Sequence, residues 1–378
     1  MEHLSKIIKK LLSACAFLGA FALSVLLLIS LMLGSGSSVR EKTGGKPVGL
    51  MDRYDMYMNN RISSAMEGVL SIEKVYWLSD SDMVAPEPNA DGYGTASDPA
   101  QMEQFLADAQ KVLDGHKTVF GVDTPIAPGT SIHYYQDETI MTVVWKQGMN
   151  GGMYTFCEVK IAHPSQLRRF LAGGEYGSEI QLKTTQMAQT VNAVLASSGD
   201  FYGYRREGII VHDGVVRRAN PARVDTCFVD SKGDLHFSYA GQMSGKDEAQ
   251  AFVDANDIRF SVAFGPVLIE NGKRVPISDD YYLGQPADPY PRAALCQIDE
   301  LHYLIVVLSS EGIYRYTSSL HSFASCIEKM GVEKAYALDG GQTATVAFNG
   351  QVINKIAQGS QRYISDIIYF ATALPEGE

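Results

Sequence analysis

The sequence has no H-E-x-x-H, no G-x-S-x-G, no Walker G-x-x-x-x-G-K-[ST] and no G-x-G-x-x-G after a strand. The common metalloprotease, serine hydrolase, ATPase and dehydrogenase chemistries therefore have no motif to rest on. Its eight histidines are scattered, with no two four residues apart. None of its five cysteines stands in a C-x-x-C pair, so zinc and thioredoxin-like chemistry lack support. Basic residues are in deficit: 32 Lys and Arg against 43 Asp and Glu give a net charge of -11, which excludes a phosphate backbone as a long-range partner. Long apolar runs are also rare, and only one is long enough to cross a bilayer, which excludes a multi-span transporter. Disorder is excluded as well, because 46% of the 378 residues are hydrophobic and 20% charged.

The one long run is Leu11 to Leu33, 23 residues without a charge. A bilayer core of about 30 Å takes about 20 helical residues. Lys6, Lys9 and Lys10 precede the run and favour a cytoplasmic N-terminus. The sequence thus predicts a single-pass membrane protein: a cytoplasmic stub and transmembrane anchor over 1–33, with the remainder extracellular or periplasmic. Gly and Ser enrich residues 34–49, which read as a flexible tether.

Beyond the tether the expected class is α+β. A small membrane-proximal α+β module is expected over 50–179 and a larger α+β domain over 180–378. In the module, Pro99 opens a helix carrying Met102, Phe105, Leu106 and Ala109, and strands follow over 132–135, 139–146 and 153–162. Leu167, Phe170 and Leu171 suggest a short helix after Pro164, and Met187, Val191, Val194 and Leu195 another. The C-terminal half changes character. Asp213-Gly214, Asn271-Gly272 and Asn349-Gly350 interrupt apolar runs, the strongest short hairpin signal, and predict a hairpin-rich mixed sheet. Helices are expected over 247–255 and 319–330. Cys157, Cys227, Cys296 and Cys326 either form two disulfides in one of three connectivities or stand as buried free thiols.

Three segments can carry chemistry. In Ser198-Gly199-Asp200-Phe201 a carboxylate sits among small residues and aromatics, and apolar neighbours raise a carboxylic acid's pKa. In Leu338-Asp339-Gly340-Gly341-Gln342-Thr343 an apolar strand ends at a carboxylate, followed by glycines that can form a concave anion nest. Arg292 and Arg362 present planar forks suited to a phosphodiester.

Taken in order, these segments resemble the phosphodiester glycosidase family. The resemblance rests on Gly199-Asp200-Phe201, Gly265-Pro266-Val267-Leu268, Pro291-Arg292-Ala293-Ala294, Leu338-Asp339-Gly340-Gly341, Asn349-Gly350, Asn354, Arg362 and Ser365-Asp366-Ile367. It covers about residues 180–372. Ser198 stands where the family usually has Asn, and Ser309-Ser310-Glu311 replaces a D-G-R, with Glu311 left as the substitute carboxylate. The resemblance implies cleavage of a sugar-1-phosphodiester of an envelope glycan. Asp339 and Asp200 would be the carboxylate pair, one acid and one base or nucleophile. Arg292 and Arg362 would grip the phosphodiester, Gly340, Gly341, Gln342 and Thr343 would form the anion-binding turn, and Asp366 would orient an arginine. Ser198, Gly199 and Asn354 complete the expected substrate site.

The alternative is a non-catalytic, membrane-tethered glycan-binding or envelope-assembly protein on the same fold, with Tyr202, Tyr281 and Tyr282 as an aromatic platform. No cofactor is expected. An acidic loop such as Ser278-Asp279-Asp280 could bind calcium, though such a run more often reads as an exposed charged turn.

Overall fold

The computed structural model describes residues 76–77, 84–96, 132–313 and 316–375. In chain order the first strands are β1 (Tyr76–Trp77), β2 (Tyr93–Ala96), β3 (Ile132–Gln136), β4 (Ile140–Met149), β5 (Gly152–Ile161) and β6 (Leu167–Leu171). Helix α1 (Thr184–Thr190) leads into β7 (Leu195–Ser198), β8 (Gly208–His212), β9 (Val215–Asn220), β10 (Thr226–Asp230) and β11 (Leu235–Ser238). Helix α2 (Lys246–Ala255) precedes β12 (Ile258–Val262), β13 (Val267–Glu270), β14 (Lys273–Arg274), β15 (Arg292–Asp299) and β16 (His302–Ser309). Helix α3 (Leu320–Lys329) is followed by β17 (Lys334–Leu338), β18 (Val346–Phe348), β19 (Gln351–Val352), β20 (Asp366–Phe370) and β21 (Leu374–Pro375).

The strands form a nine-stranded sheet, β14-β13-β17-β15-β16-β5-β4-β3-β2, and two five-stranded sheets, β11-β10-β12-β8-β9 and β19-β18-β7-β20-β6; β1 pairs with β21. The turn chemistry explains much of this order. Asp213-Gly214, Asn271-Gly272 and Asn349-Gly350 all have positive φ at both residues. That is the type I′ condition, whose twist matches the flanking strands. These turns close β8–β9, β13–β14 and β18–β19.

One face of the large sheet packs under α3, with Phe323, Ala324 and Ile327 against Phe156 and Val306. The other face carries Val144, Cys157, Val307 and Leu338, and packs against Val346, Ile368 and Phe370 of a five-stranded sheet. Fully burying such a side chain is worth roughly 1.5–3 kcal/mol. Strands on both sides of residue 180 share the large sheet, since β16 pairs with β5 from His302↔Lys160 to Ser309↔Met153. All four described cysteines are buried free thiols.

The α+β class with an N-terminal transmembrane helix is corrected to a mainly β fold. Among the described residues there are three α-helices, the longest of ten residues, and none is long and apolar enough to cross a membrane. The helix expected after Pro164 is a single 3-10 turn over Pro164–Gln166, after which Leu167–Leu171 continues as a strand. All five residues of β6 are buried, and its partner β20 uses the backbone groups that a helix would have used internally. Likewise α1 stops at Thr190, and Leu195 of the supposed helical stripe opens β7. The expected span 11–33, the tether 34–49 and the helix beginning at Pro99 lie outside the described residues.

Candidate active site

Three adjacent strands bring the first cluster together. In the order β7-β20-β6, Ser198 pairs with Ile367, and Asp366 with Leu171. Asp200 follows β7, Asp366 opens β20 and Arg169 lies on β6, so their side chains meet. Arg169 Nη2 stands 2.7 Å from Asp200 Oδ1 and 3.0 Å from Asp366 Oδ2, and Arg169 Nε donates to Asp366 Oδ2 at 3.1 Å. Arg169 also donates to the Ser261 carbonyl.

The backbone completes this cluster. Asp200 Oδ1 accepts from Tyr202 N–H at 2.9 Å and Oδ2 from Ala263 N–H at 2.6 Å. Asp366 accepts from the N–H groups of Asp200 and Phe201 at 3.2 and 2.9 Å. Gly199 is required here, because a Cβ would lie 1.9 Å from Asp366 Oδ2. Burial pushes the Asp200 carboxyl up to about 7, opposed by Arg169 and reinforced by Asp366.

The second cluster lies at the end of β17, where Leu338 pairs with Ala293 and the chain leaves the sheet at Asp339. Arg205 Nη2 holds Asp339 Oδ1 at 3.1 Å, and Arg205 Nη1 donates to the Asp200 carbonyl at 3.1 Å. The Arg205 guanidinium lies 4.5 Å from the Phe264 ring centre. Asp339 Oδ2 is buried without a hydrogen-bond partner among the described residues. Burial raises the Asp339 pKa; Arg205 pulls it the other way, as more weakly do Thr343 and Arg362.

Asp339 lines a cavity of about 150 Å³ with Arg205, Tyr290, Arg292, Gly340 and Gly341. Gly341 has φ +62° and its N–H donates to the Pro291 carbonyl at 2.9 Å, while a Cβ on Gly340 would lie 2.6 Å from that same oxygen. The two glycines thus let the turn lie flat against the start of β15. Arg362 sits beside this site, 4.9 Å from the Phe201 ring centre and 5.1 Å from that of Tyr204, with no carboxylate partner among the described residues. Phe201 itself has φ +54°, a conformation costly for a bulky residue and concentrated at functional sites.

The expected site residues therefore separate. Asp339, Gly340, Gly341 and Arg292 line the cavity. Asp200 does not; its carboxylate is held by Arg169. Asp366 does orient an arginine, Arg169. Arg292 is committed to the loop before it, donating to the carbonyls of Gly284, Gln285 (3.0 Å) and Asp288 (2.6 Å), and burial lowers its pKa to about 10.

Glu311 pairs with Lys146 at 2.9 Å and does not line the cavity. Asn354 pins the β18–β19 hairpin through Val346 N–H (2.8 Å) and the Ala344 carbonyl (2.9 Å). Ser198 bonds Thr345, Gln342 reaches the Ser360 carbonyl at 3.1 Å, and Thr343 is buried beside Asp339. Tyr202 is buried, so no platform forms with Tyr281 and Tyr282. In the acidic turn Asp279 faces His321 at 2.7 Å, and among the described residues no three His, Cys, Asp or Glu side chains converge as metal ligands.

Sequence reasoning passed over two arginines. Arg169 was hidden in a segment read as helix. Arg205 stands five residues after Asp200 in an aromatic turn, Tyr202-Gly203-Tyr204, and that proximity was its one signal.

Residues 191–371 match the phosphodiester glycosidase family. The motif resemblance is thereby shown for that segment, and the fold is of phosphodiester glycosidase type. Among solved structures, the catalytic domain of zebrafish N-acetylglucosamine-1-phosphodiester α-N-acetylglucosaminidase, auto-inhibited by its pro-peptide, is 16% identical. It aligns with a TM-score of 0.50, over 78% of this chain and 99% of that one. A hypothetical protein from Synechocystis is 13% identical with a TM-score of 0.46, over 66% of this chain. The chain spans about 64% of the length of that protein. No curated protein matches. At these identities the structural likeness concerns the fold alone. Arg169 and the strands β2–β5 lie outside the matched phosphodiester glycosidase segment.

Proposed function

We propose that the protein is a glycosidase that hydrolyses a sugar-1-phosphodiester of an envelope glycan, with Asp339 as general base. The observation that carries this reading is Asp339 itself: one oxygen fixed by Arg205, the other buried with no hydrogen-bond partner among the described residues, at a cavity edged by two close-packed glycines. A raised pKa makes a carboxylate a stronger base. Asp339 takes a proton from water, the water oxygen attacks C1, and the C1–O bond to phosphorus breaks. The bonding pair leaves with the phosphate as a phosphomonoester. A phosphomonoester leaves readily without protonation, so one carboxylate suffices where ordinary glycosides need two. A single displacement inverts the anomeric centre. Arg362, which lies over the Phe201 and Tyr204 rings with no ion pair to a carboxylate among the described residues, would bind the phosphodiester oxygens. Arg205 positions Asp339 and favours its ionised form against the effect of burial.

One observation favours a second reading, a non-catalytic glycan-binding protein on the same fold. Asp339 is the only carboxylate lining the cavity among the described residues, and Asp200 is committed to Arg169. Sugar release from a panel of sugar-1-phosphodiesters, followed by NMR for the wild type and Asp339→Asn, decides between them. Release that depends on Asp339 supports the glycosidase; saturable binding without release supports the binder.

A further inference from the structure

A larger cavity lies elsewhere among the described residues. It has a volume of about 580 Å³ and opens between the β2–β4 end of the large sheet and the β18–β19 hairpin. Pockets of roughly 300–1,000 Å³ are the size used for small-molecule ligands. Its polar groups are of the kind that meet sugar hydroxyls: Thr95, His133, Asn349 and Gln351, with ring surface from Tyr93 and Phe348. His133 Nδ1 is 3.1 Å from Thr95 Oγ1, which leaves Nε2 for a ligand. The one ammonium in the lining, Lys146, is neutralised by Glu311 at 2.9 Å. Partial desolvation, and then Lys146, lowers the His133 pKa and so disfavours its charged form.

This cavity and Asp339 lie at the same end of one sheet. The register runs Leu338↔Ala293, Ala293↔Val307, Val307↔Thr155 and Thr155↔Lys146. Lys146 is therefore four strands from the residue preceding Asp339, about 19 Å at about 4.8 Å per strand. Between them, the buried hydroxyls of Thr155 and Ser309 have no hydrogen-bond partner among the described residues. Buried polar groups without partners are few in native proteins, and each calls for an explanation.

We propose that this cavity is a second saccharide site, which binds neutral sugar units of the glycan whose phosphodiester-linked unit reaches Asp339. The substrate would then be an oligosaccharide or polysaccharide chain spanning several sugar units. The reacting end of that chain rests on the glycosidase reading; the second site does not require turnover to be seen. Most of its lining comes from residues 93–146, outside the matched family segment.

The test is isothermal titration of the full chain with the N-acetylglucosamine tetrasaccharide, maltotetraose and cellotetraose. The variants are His133→Ala, Gln351→Ala and the pair; in the structure both side chains are exposed, so neither change opens the core. The expected result is saturable binding of at least one tetrasaccharide, weakened tenfold or more in the paired variant with the circular dichroism spectrum unchanged. Binding of none of the three, or binding unaffected in the paired variant, overturns the proposal. Turnover of a short diester with no tetrasaccharide binding removes only the second site. Tetrasaccharide binding without turnover of any diester removes the glycosidase reading and leaves this site standing.

Discussion

Arg205 Nη2 stands 3.1 Å from Asp339 Oδ1, and the same guanidinium donates to the backbone carbonyl of Asp200. One arginine therefore bridges the Asp339 side chain and the Asp200 backbone. It ties Asp339 to the segment that follows β7, where the Asp200 carboxylate is held by Arg169. Removing the cation favours the protonated acid. Activity that needs ionised Asp339 falls as pH drops through its pKa. In Arg205→Gln that acid limb moves to higher pH, and a kcat/KM profile over pH 4 to 9 measures the shift.

Asp339 also links function to stability. Burial raises its folded pKa above the unfolded carboxylate value of about 3.9. A raised carboxyl pKa means the fold prefers the acid, so stability is lost as pH rises through the folded pKa. Asp339→Asn is expected to raise the Tm at pH 7 and to leave it nearly unchanged at pH 3, where the native acid is already protonated. Thermal melts at both values check this.

The Arg169 cluster is fully buried. Breaking a fully buried pair leaves an uncompensated charge and costs about 3–5 kcal/mol. Arg169→Ala and Asp366→Ala should each lose that much in urea denaturation. Gly199→Ala should fail comparably, because its Cβ meets Asp366 Oδ2 at 1.9 Å and that carboxylate cannot move without breaking its bonds to Arg169.

The proposed mechanism gives Arg362 a role in binding. Hydrogen bonds to charged groups contribute about 1.5–3 kcal/mol, so Arg362→Gln should raise KM for a diester tenfold or more while kcat changes less. Steady-state kinetics separate the two.

Local signals carried a good part of this fold. The Asn-Gly and Asp-Gly turns, the Ser319-capped helix α3 and the apolar run of β16 were all readable, because turn chemistry and amphipathic spacing are properties of a few adjacent residues. Leu167-Arg168-Arg169-Phe170 was misread because its helical spacing competes with a pairing to β20, some 200 residues away, that no local pattern announces. The same distance hid the site's wiring. Asp339 and its glycines were identifiable at a strand end, whereas the assignment of Asp200 to Arg169, and of Asp339 to Arg205, depends on which strands become neighbours. Glu311 was a guess by position, and Lys146 on β4 claims it.

The most direct measurement is release of free sugar from a sugar-1-phosphodiester, followed by NMR with the anomer scored at the earliest times. With Asp339 as base, the wild type releases the inverted anomer, and Asp339→Asn is slower by roughly 10²–10⁴-fold, the usual worth of general acid–base catalysis. Undiminished release by Asp339→Asn, or a retained anomer as first product, would contradict the single-carboxylate mechanism.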